Sequence, residues 1–278
     1  MKSMSFKSVL PHLIAVAVFL IAAAIYCKPA LKPGVGLMKG HDVAGWEGMS
    51  KQSFEYKEKN GHFPLWSNSM FSGMPAYQIA MDGNEDISQP MAFLNNIFTF
   101  GLKQPMNFFF LSALMFYLLC IIAGVNPWLG ILGGLSYAFA TYNPIIISVG
   151  HNTKMMSLAY APMLLGGMLL LFKKRYLLGF TTTAFFASSL IGQNHPQIVF
   201  YTLIIAAFFT LAYLVNCIKE KQLMDAVKSV SLALIAGLIG VACNALILLT
   251  TYDYSKESMR GGVSQLTLEK DGSGRAHV

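Results

Sequence analysis

Residues 104–153 read QPMNFFFLSALMFYLLCIIAGVNPWLGILGGLSYAFATYNPIIISVGHNT and contain no Asp, Glu, Lys or Arg. Two further stretches, 176–218 and 229–252, also lack all four charged residue types. Each stretch exceeds the roughly 20 residues that a helix needs to cross a bilayer. In hydrocarbon every backbone N–H must bond within its own segment, and runs of this length are too long for barrel strands. The sequence therefore predicts an all-α, polytopic transmembrane helical bundle.

The composition of the whole chain supports this class. Of the 278 residues, 55% are apolar and 12% are charged, and the mean hydropathy is +0.53. A soluble domain carries about 25% charged residues, so a water-soluble globule and a disordered chain are both excluded. The net charge of +7 comes from Lys and Arg that lie between apolar runs, so no nucleic-acid partner is expected. The four cysteines lack CxxC spacing, and we expect neither a zinc site nor a disulfide framework.

We predict about seven spans, at 9–27, 105–123, 128–149, 155–172, 176–192, 198–217 and 226–250. The first span resembles a signal peptide in its position, but it lacks a small-x-small cleavage site before Lys28, so we expect it to be uncleaved. The glycines of the third and fourth spans, Gly130, Gly133, Gly134, Gly166 and Gly167, are predicted to let neighbouring helices approach closely.

The positive charges of the connections predict the orientation. Lys and Arg accumulate on the cytoplasmic side, and with alternating spans one side receives Lys2, Lys7, Lys173, Lys174, Arg175, Lys219, Lys221 and Lys228. We therefore expect a multi-pass membrane protein with a cytoplasmic amino terminus. The other side receives a long extracytoplasmic first loop, 28–104, and a tail, 251–278. The loop is predicted to carry amphipathic interfacial helices at 42–60 and 86–102.

Polar residues converge on the predicted outer face. They are His41, Asp42, His151, Asn152, Lys154, Gln193, Asn194, His195, Gln197, Asp253, Glu257 and Arg260. Short turns have no structural need for His, Asn and Gln together, although any connection between spans must be polar somewhere. This asymmetry predicts a site at the outer membrane surface, where a lipid-linked substrate could enter from the side.

Transfer of a sugar from a lipid phosphate would need a base, cations and hydrogen-bonding groups. Asp42 is the candidate catalytic base and Glu47 is the reserve, although Asp42 could simply cap a helix. Lys154 and Arg260 are candidates for the departing phosphate, with His151 as a further donor. Lys154 could instead extend from a span end into the headgroups, and Arg260 could simply be solvated.

The remaining candidates would bind substrate through neutral or aromatic contacts. Gln193, Asn194, His195 and Gln197 would contact sugar hydroxyls, Trp66 is a candidate stacking platform, and His41, Asn152 and Glu257 complete the set. No cofactor is required by these residues. A divalent metal held by His41, Asp42, His151 and His195 is conceivable from the residue types, but nothing in their spacing demands it.

Five motifs carry a resemblance to a known family: GHD at 40–42, FPLWSNSMFSGMP at 63–75, GHNTK at 150–154, GQNHPQ at 192–197 and YDYSKESMRGG at 252–262. With these motifs the chain resembles, almost end to end, the YfhO family of bacterial membrane proteins. Members of that family are similar to the C-type membrane glycosyltransferases (GT-C), which take sugar from a polyprenyl phosphate on the outer side. The resemblance implies a GT-C-like fold in the bacterial plasma (inner) membrane, with the catalytic acidic residue at Asp42 in the first external loop. It also implies that the acceptor is a cell-envelope glycopolymer such as a teichoic acid or another surface glycan.

Two other functions stay open beside the transferase. A transporter or flippase would place polar residues near the bilayer midplane and would break helices in both halves, and only Asn143-Pro144 and Asn244 fit that pattern. A non-catalytic scaffold for envelope assembly would equally use Gly-rich packing faces. Because members of the resembling family are usually several hundred residues longer, we expect this chain to be a truncated, amino-terminal part.

Overall fold

The computed structural model describes residues 6–32, 41–79, 93 and 96–258, with the backbone alone given for Leu31 and His41. Its long elements are the helices α1 (Phe6–Tyr26), α2 (His41–Asn60), α3 (Met106–Ala123), α4 (Pro127–Ala138), α5 (Tyr142–Ser148), α6 (Asn152–Phe172), α7 (Tyr176–Gly192), α8 (Pro196–Lys219), α9 (Leu223–Cys243) and α10 (Ala245–Lys256). Two short antiparallel strands, β1 (Trp66–Ser67) and β2 (Met74–Pro75), form a hairpin. The predicted helical class is confirmed.

Within the described residues, five helices are long and apolar enough to cross a membrane: α1, α3, α6, α8 and α9. Helices α4 and α5 would together make a sixth crossing, bent by 41° at their junction. Helix α7 is apolar but has only 17 residues. These helices indicate a membrane protein, and they fall at all seven predicted positions. The count of seven crossings stays a prediction.

The described residues fall into two compact units. The first unit lies within Met1–Gly45 and Asp82–Cys243, and the second lies within Trp46–Met81 and Asn244–Val278. Helix α6 is the centre of the first unit, because 14 of its 21 residues are buried and it packs along both α3 and α7. Its small and flexible residues, such as Ala159 and Met155, are fully buried there.

Glycines set the close packing of this bundle, as the sequence predicts. A Cβ on Gly134 of α4 would lie 2.7 Å from the backbone oxygen of Ala113 on α3. A Cβ on Gly167 of α6 would lie 2.6 Å from the backbone nitrogen of Thr183 on α7. Real Cβ atoms do not approach other atoms so closely, so any larger residue would push these helices apart.

The third predicted span, 128–149, is divided into two helices, and Pro144 explains the position of the break. Pro144 has no N–H to donate to Ala140, and its ring crowds that carbonyl, so α4 ends at Ala138 and α5 begins at Tyr142. The buried Asn143 amide repairs the break by donating to the backbone oxygens of Tyr137 (2.8 Å) and Ala138 (3.1 Å). Such repair is required wherever helical bonds are lost inside a membrane.

A second proline is compensated in the same way. Pro162 lies inside α6 and cannot bond the carbonyl of Leu158, four residues earlier. The hydroxyl of Tyr137 donates to that carbonyl at 2.7 Å. The α4–α6 contact therefore supplies a hydrogen bond that α6 lacks.

Basic connections predicted to share one side of the membrane do meet in the first unit. Lys174, between α6 and α7, lies 2.8 Å from the carboxylate of Asp225 in the first turn of α9. The Ser229 hydroxyl on α9 donates to the Leu171 backbone oxygen at the end of α6. These contacts fix the end of the bundle opposite to the turns that carry His151 and His195.

The second unit contains most of α2, the hairpin and α10. The Trp46 indole N–H donates to the Ile79 backbone oxygen, and the rings of Trp46, Phe54 and Phe63 form successive edge-to-face contacts. The predicted helix at 42–60 is confirmed, and Gly61 follows it with φ +78.

Two predicted segments, 86–102 and 226–250, do not correspond to single described helices. Of residues 86–102, the second predicted interfacial helix, nine lie outside the described residues, and residues 93 and 96–98 are helical. The seventh predicted span, 226–250, is interrupted, because α9 ends at Cys243 and α10 begins at Ala245. Asn244, between them, has φ −111 and ψ 15, outside the usual helical values.

Candidate functional site

The contact at the centre of the candidate site joins the start of α2 to the turn between α5 and α6. The Nε2 atom of His151 lies 3.2 Å from Oδ2 of Asp42, with 47% and 60% of the two side chains exposed. A pair this exposed adds little stability, so its main consequence is to orient the carboxylate. Asp42 lies inside the first turn of α2 rather than at a cap position, so the alternative role as a helix cap does not apply.

Close packing of the backbone holds these two residues together. Gly150, next to His151, has φ +91, a conformation that side chains other than glycine rarely adopt. A Cβ at this position would overlap Cγ2 of Val43, the neighbour of Asp42. Glycine is therefore required at residue 150 both by the turn and by the approach of α2.

Lys154 supplies a positive charge in the first turn of α6. Its Nζ atom lies 5.1 Å from the centroid of the Tyr142 ring, a cation–π contact that keeps the ammonium at the helix start. Lys154 thus lies on the same turn of the chain as His151. The predicted role as a phosphate contact is compatible with this position and remains a prediction.

His195 lies beside the same positive charges, although it belongs to a different connection. Burial is the largest cause that lowers the pKa of His195, and its electrostatic interactions with the Lys154 ammonium and with His151 lower that pKa further. The imidazole is consequently neutral at pH 7 and can both donate and accept a hydrogen bond. The structure therefore brings Asp42, His151, Lys154 and His195, from three separate segments, to one end of the first unit.

Asn152 carries an unsatisfied group at this end. Its amide nitrogen lies 3.4 Å from Oε1 of Gln104, while its carbonyl oxygen is buried and has no partner among the described residues. Buried acceptors normally have a donor, so this oxygen is an unsatisfied acceptor at this end of the first unit. The substrate-binding role of Asn152 stays a prediction.

The side chains of Gln193 and Gln197, two other members of the predicted set, contact atoms of their own helices, and Asn194 lies in the turn between those helices. The Gln193 amide lies 3.5 Å from the Ser189 backbone oxygen, and the Gln197 amide donates to the Tyr201 hydroxyl at 2.9 Å. Asn194 shapes the turn, with φ +52 and its backbone N–H bonded to Ile191. Within the described part of the chain, no recorded contact joins these three side chains to Asp42 or His151.

The remaining candidates belong to the second unit or have side chains outside the described residues. Glu47, Trp66 and Glu257 belong to the second unit, where Trp66 lies in β1 and Glu257 follows α10. Arg260 and the side chain of His41 lie outside the described residues. Their predicted roles stay predictions.

A metal site is not formed by the side chains that the structure describes. No three His, Cys, Asp or Glu residues among them are grouped so as to hold an ion. The conceivable set of His41, Asp42, His151 and His195 includes one side chain outside that description. The described members alone pair a carboxylate with an imidazole.

Sequence reasoning overlooked several residues that shape the site. Gln104 and Tyr142 contact Asn152 and Lys154, and Val43 packs on Gly150. Of these residues, only Gln104 could have been identified from the sequence, because it immediately precedes Pro105 at the start of a predicted span.

A histidine within the apolar bundle was also overlooked. Nδ1 of His12, on α1, lies 2.6 Å from the hydroxyl of the buried Tyr117 on α3. Ionisable residues inside apolar spans are rare and are usually satisfied by a polar partner, as here. This pair lies within helices, away from the predicted outer face.

The chain was compared with protein-family models, with curated proteins and with solved structures, and none of the three comparisons gives a match.

Proposed function

We propose that the chain is the membrane module of a GT-C-like glycosyltransferase. In this proposal it moves a sugar from a polyprenyl-phosphate donor to a cell-envelope glycopolymer on the outer face of the bacterial plasma membrane. The observation that carries the proposal is the Asp42–His151 contact, with Lys154 and His195 beside it, at one end of an apolar bundle. A carboxylate next to cationic and neutral hydrogen-bonding groups has the components that sugar transfer from a phosphate requires.

In the proposed reaction Asp42 acts as the general base. It accepts the proton of an acceptor hydroxyl, and the acceptor oxygen attacks the anomeric carbon of the donor sugar. The bond between that carbon and the phosphate oxygen breaks, and the electron pair leaves with the phosphate. His151 orients the Asp42 carboxylate, and Lys154 and Arg260 stabilise the negative charge of the departing phosphate. The unsatisfied carbonyl of Asn152 would accept a hydrogen bond from a substrate hydroxyl.

The proposed topology has seven crossings with the amino terminus in the cytoplasm. It counts α4 with α5 as one crossing and includes α7, which at about 1.5 Å per residue is slightly shorter than a bilayer core of about 30 Å. The bundle end with Lys174 and Asp225 then faces the cytoplasm, as basic connections do. The end with Asp42 and His151 faces outward.

Substitution Asp42→Asn tests the proposed base. The substitution keeps the size and much of the hydrogen bonding of the side chain but removes its proton affinity, so we expect sugar transfer to the envelope polymer to fall by about 100-fold or more in cells lacking their own copy. Asp253→Asn is the matched control, because Asp253 is also an exposed acid and its ion pair among the described residues is with Lys256 on its own helix. Undiminished transfer by a well-expressed Asp42→Asn variant would exclude Asp42 as the base.

One observation favours a second candidate, a transporter or flippase. Helices α4 and α5 form a crossing bent by 41°, with the buried Asn143 at the break, and broken helices are common in transporter binding sites. The Asn143 amide is already occupied by two backbone oxygens, which favours a structural role for the break. Lipid or solute movement across vesicles containing the purified chain, without sugar transfer, would support the transporter.

A further inference from the structure

The hairpin of the second unit exposes three large apolar side chains. Phe71 is 82% exposed, Leu65 is 76% exposed and Trp66 is 54% exposed. We call these three residues the apolar apex. They lie in or beside a two-stranded turn in which Trp66 pairs with Pro75. Exposure of single apolar residues is ordinary, but three large ones within residues 65–71 are a local concentration of exposed apolar area that favours a partner.

The base of this hairpin is packed. Phe63 and Met74 are buried, and the Phe63 ring contacts Phe54, which in turn contacts Trp46. A Cβ on Gly73 would lie 2.6 Å from the Trp66 indole nitrogen, so one side of that indole is covered by the opposite side of the turn. The apolar apex is therefore presented by an anchored turn.

Several polar groups of the hairpin form hydrogen bonds within the second unit. The hydroxyls of Ser67 and Ser69 lie 2.7 Å apart, and Ser69 also donates to the Met49 backbone oxygen. The backbone N–H of Ala76 bonds the Leu65 oxygen, and that of Gly73 bonds the Met70 oxygen. Internal hydrogen bonding lowers the cost of placing a turn in a medium poor in water.

The charge pattern separates the hairpin from the helix before it. Residues 60–81 contain no Asp, Glu, Lys or Arg, whereas 51–59 contain five such residues. Lys57 lies at the boundary, with its Nζ atom 4.6 Å from the Phe63 ring centroid. A charge-free hairpin with exposed Leu and Trp at its first strand, exposed Phe in its turn and a Lys nearby has the composition found at membrane interfaces.

We propose that the apolar apex inserts into the interface of the lipid bilayer and anchors the second unit to the membrane. A sugar would stack on the exposed face of Trp66. It would make no comparable contact with Leu65 and Phe71, which are the more exposed residues. Lipid accommodates all three side chains and matches the lack of charge. The proposal does not depend on any catalytic role of the chain.

Environment-sensitive labelling of the full chain in lipid nanodiscs tests this proposal. Cys243 is exposed, whereas Cys27 and Cys217 are buried and Cys120 is half-buried, so Cys243→Ser gives a suitable background, and its residual labelling is subtracted. In this background Phe71→Cys is labelled with a nitrobenzoxadiazole dye. The matched control is Gln52→Cys, an exposed position on α2 of the same unit.

The proposal predicts blue-shifted emission at residue 71, with quenching by nitroxide lipids severalfold stronger than at residue 52 and quenching by aqueous iodide severalfold weaker. Adding Leu65→Ser and Trp66→Ser should reduce the lipid quenching at residue 71. Both residues are exposed, so these changes leave the packed base intact. Equal access of iodide to the two labelled positions would overturn membrane insertion and would leave a soluble sugar or protein as the occupant.

Discussion

Gly150→Ala tests whether the start of α2 is docked on the turn that carries His151. Two costs follow from the structure. Alanine at φ +91 costs about 1–2 kcal/mol because its Cβ disfavours the left-handed region. The new methyl group would also overlap Cγ2 of Val43, and forcing an extra carbon into a packed contact costs about 1–3 kcal/mol. The expected loss in free energy of unfolding is therefore about 2–5 kcal/mol.

Two further variants separate these costs. Gly124 has φ +94, but a Cβ added there would have no other atom within 4 Å, so Gly124→Ala should cost only about 1–2 kcal/mol, the backbone part. Val43→Ala removes the atom that the new methyl group would meet. In the double variant Val43→Ala with Gly150→Ala, the steric part should disappear and a coupling of about 1–3 kcal/mol should be measured.

The assay is equilibrium unfolding of the purified chain in mixed micelles with increasing denaturing detergent, followed by circular dichroism. The four variants and the parent chain form a double-mutant cycle with one backbone control. If Gly150→Ala costs no more than Gly124→Ala, and Val43→Ala shows no coupling to it, then α2 does not pack on this turn. The Asp42–His151 contact would then lose its structural basis.

Two other predictions concern the bundle and its charges. Gly167→Ala should cost about 1–3 kcal/mol in the same unfolding assay, because its Cβ would lie 2.6 Å from Thr183, whereas Gly237→Ala, with nothing within 4 Å, should be neutral or stabilising by up to about 1 kcal/mol. Burial, and electrostatic interactions with the Lys154 ammonium and with His151, lower the pKa of His195 below its ordinary 6.5. The unfolded chain therefore binds a proton at higher pH than the folded chain, so the His195 contribution to stability is lost as pH falls below 6.5. His195→Gln should remove this acid-sensitive part of the unfolding free energy and Lys154→Met should only reduce it; an unchanged pH profile for His195→Gln would refute the assignment.

The helices could be predicted largely from hydropathy, because burial in lipid imposes a long, charge-free run on each of them. The predicted range 176–192 coincides with α7, and 105–123 differs from α3 by one residue. The third predicted span, 128–149, is divided into the two helices α4 and α5. The sequence Asn143-Pro144 indicates a break at this position. The hydrogen bonds from the Asn143 amide to the backbone oxygens of Tyr137 and Ala138 depend on local geometry, which hydropathy does not contain.

The candidate site could be predicted only in part. Alternation of the spans was sufficient to group His151, Lys154 and His195, because turns on one side of a bundle lie near each other. The approach of Asp42 depends on a glycine that clears space for Val43, a contact between residues more than 100 positions apart in sequence. Gln193 and Gln197 were predicted from their residue types alone, and their side chains instead bond Ser189 and Tyr201 nearby.

The central claim is that the end of the bundle with Asp42 and His151 faces outward, where a lipid-linked sugar would meet its acceptor. Helix α8 offers a direct test, because Gln197 lies at its start and Lys219 at its end, and both are exposed. Gln197→Cys and Lys219→Cys, each in the Cys243→Ser background, are treated with a membrane-impermeant maleimide in intact spheroplasts. The account predicts labelling at residue 197 in intact spheroplasts and at residue 219 only after permeabilisation. The reverse pattern would contradict it.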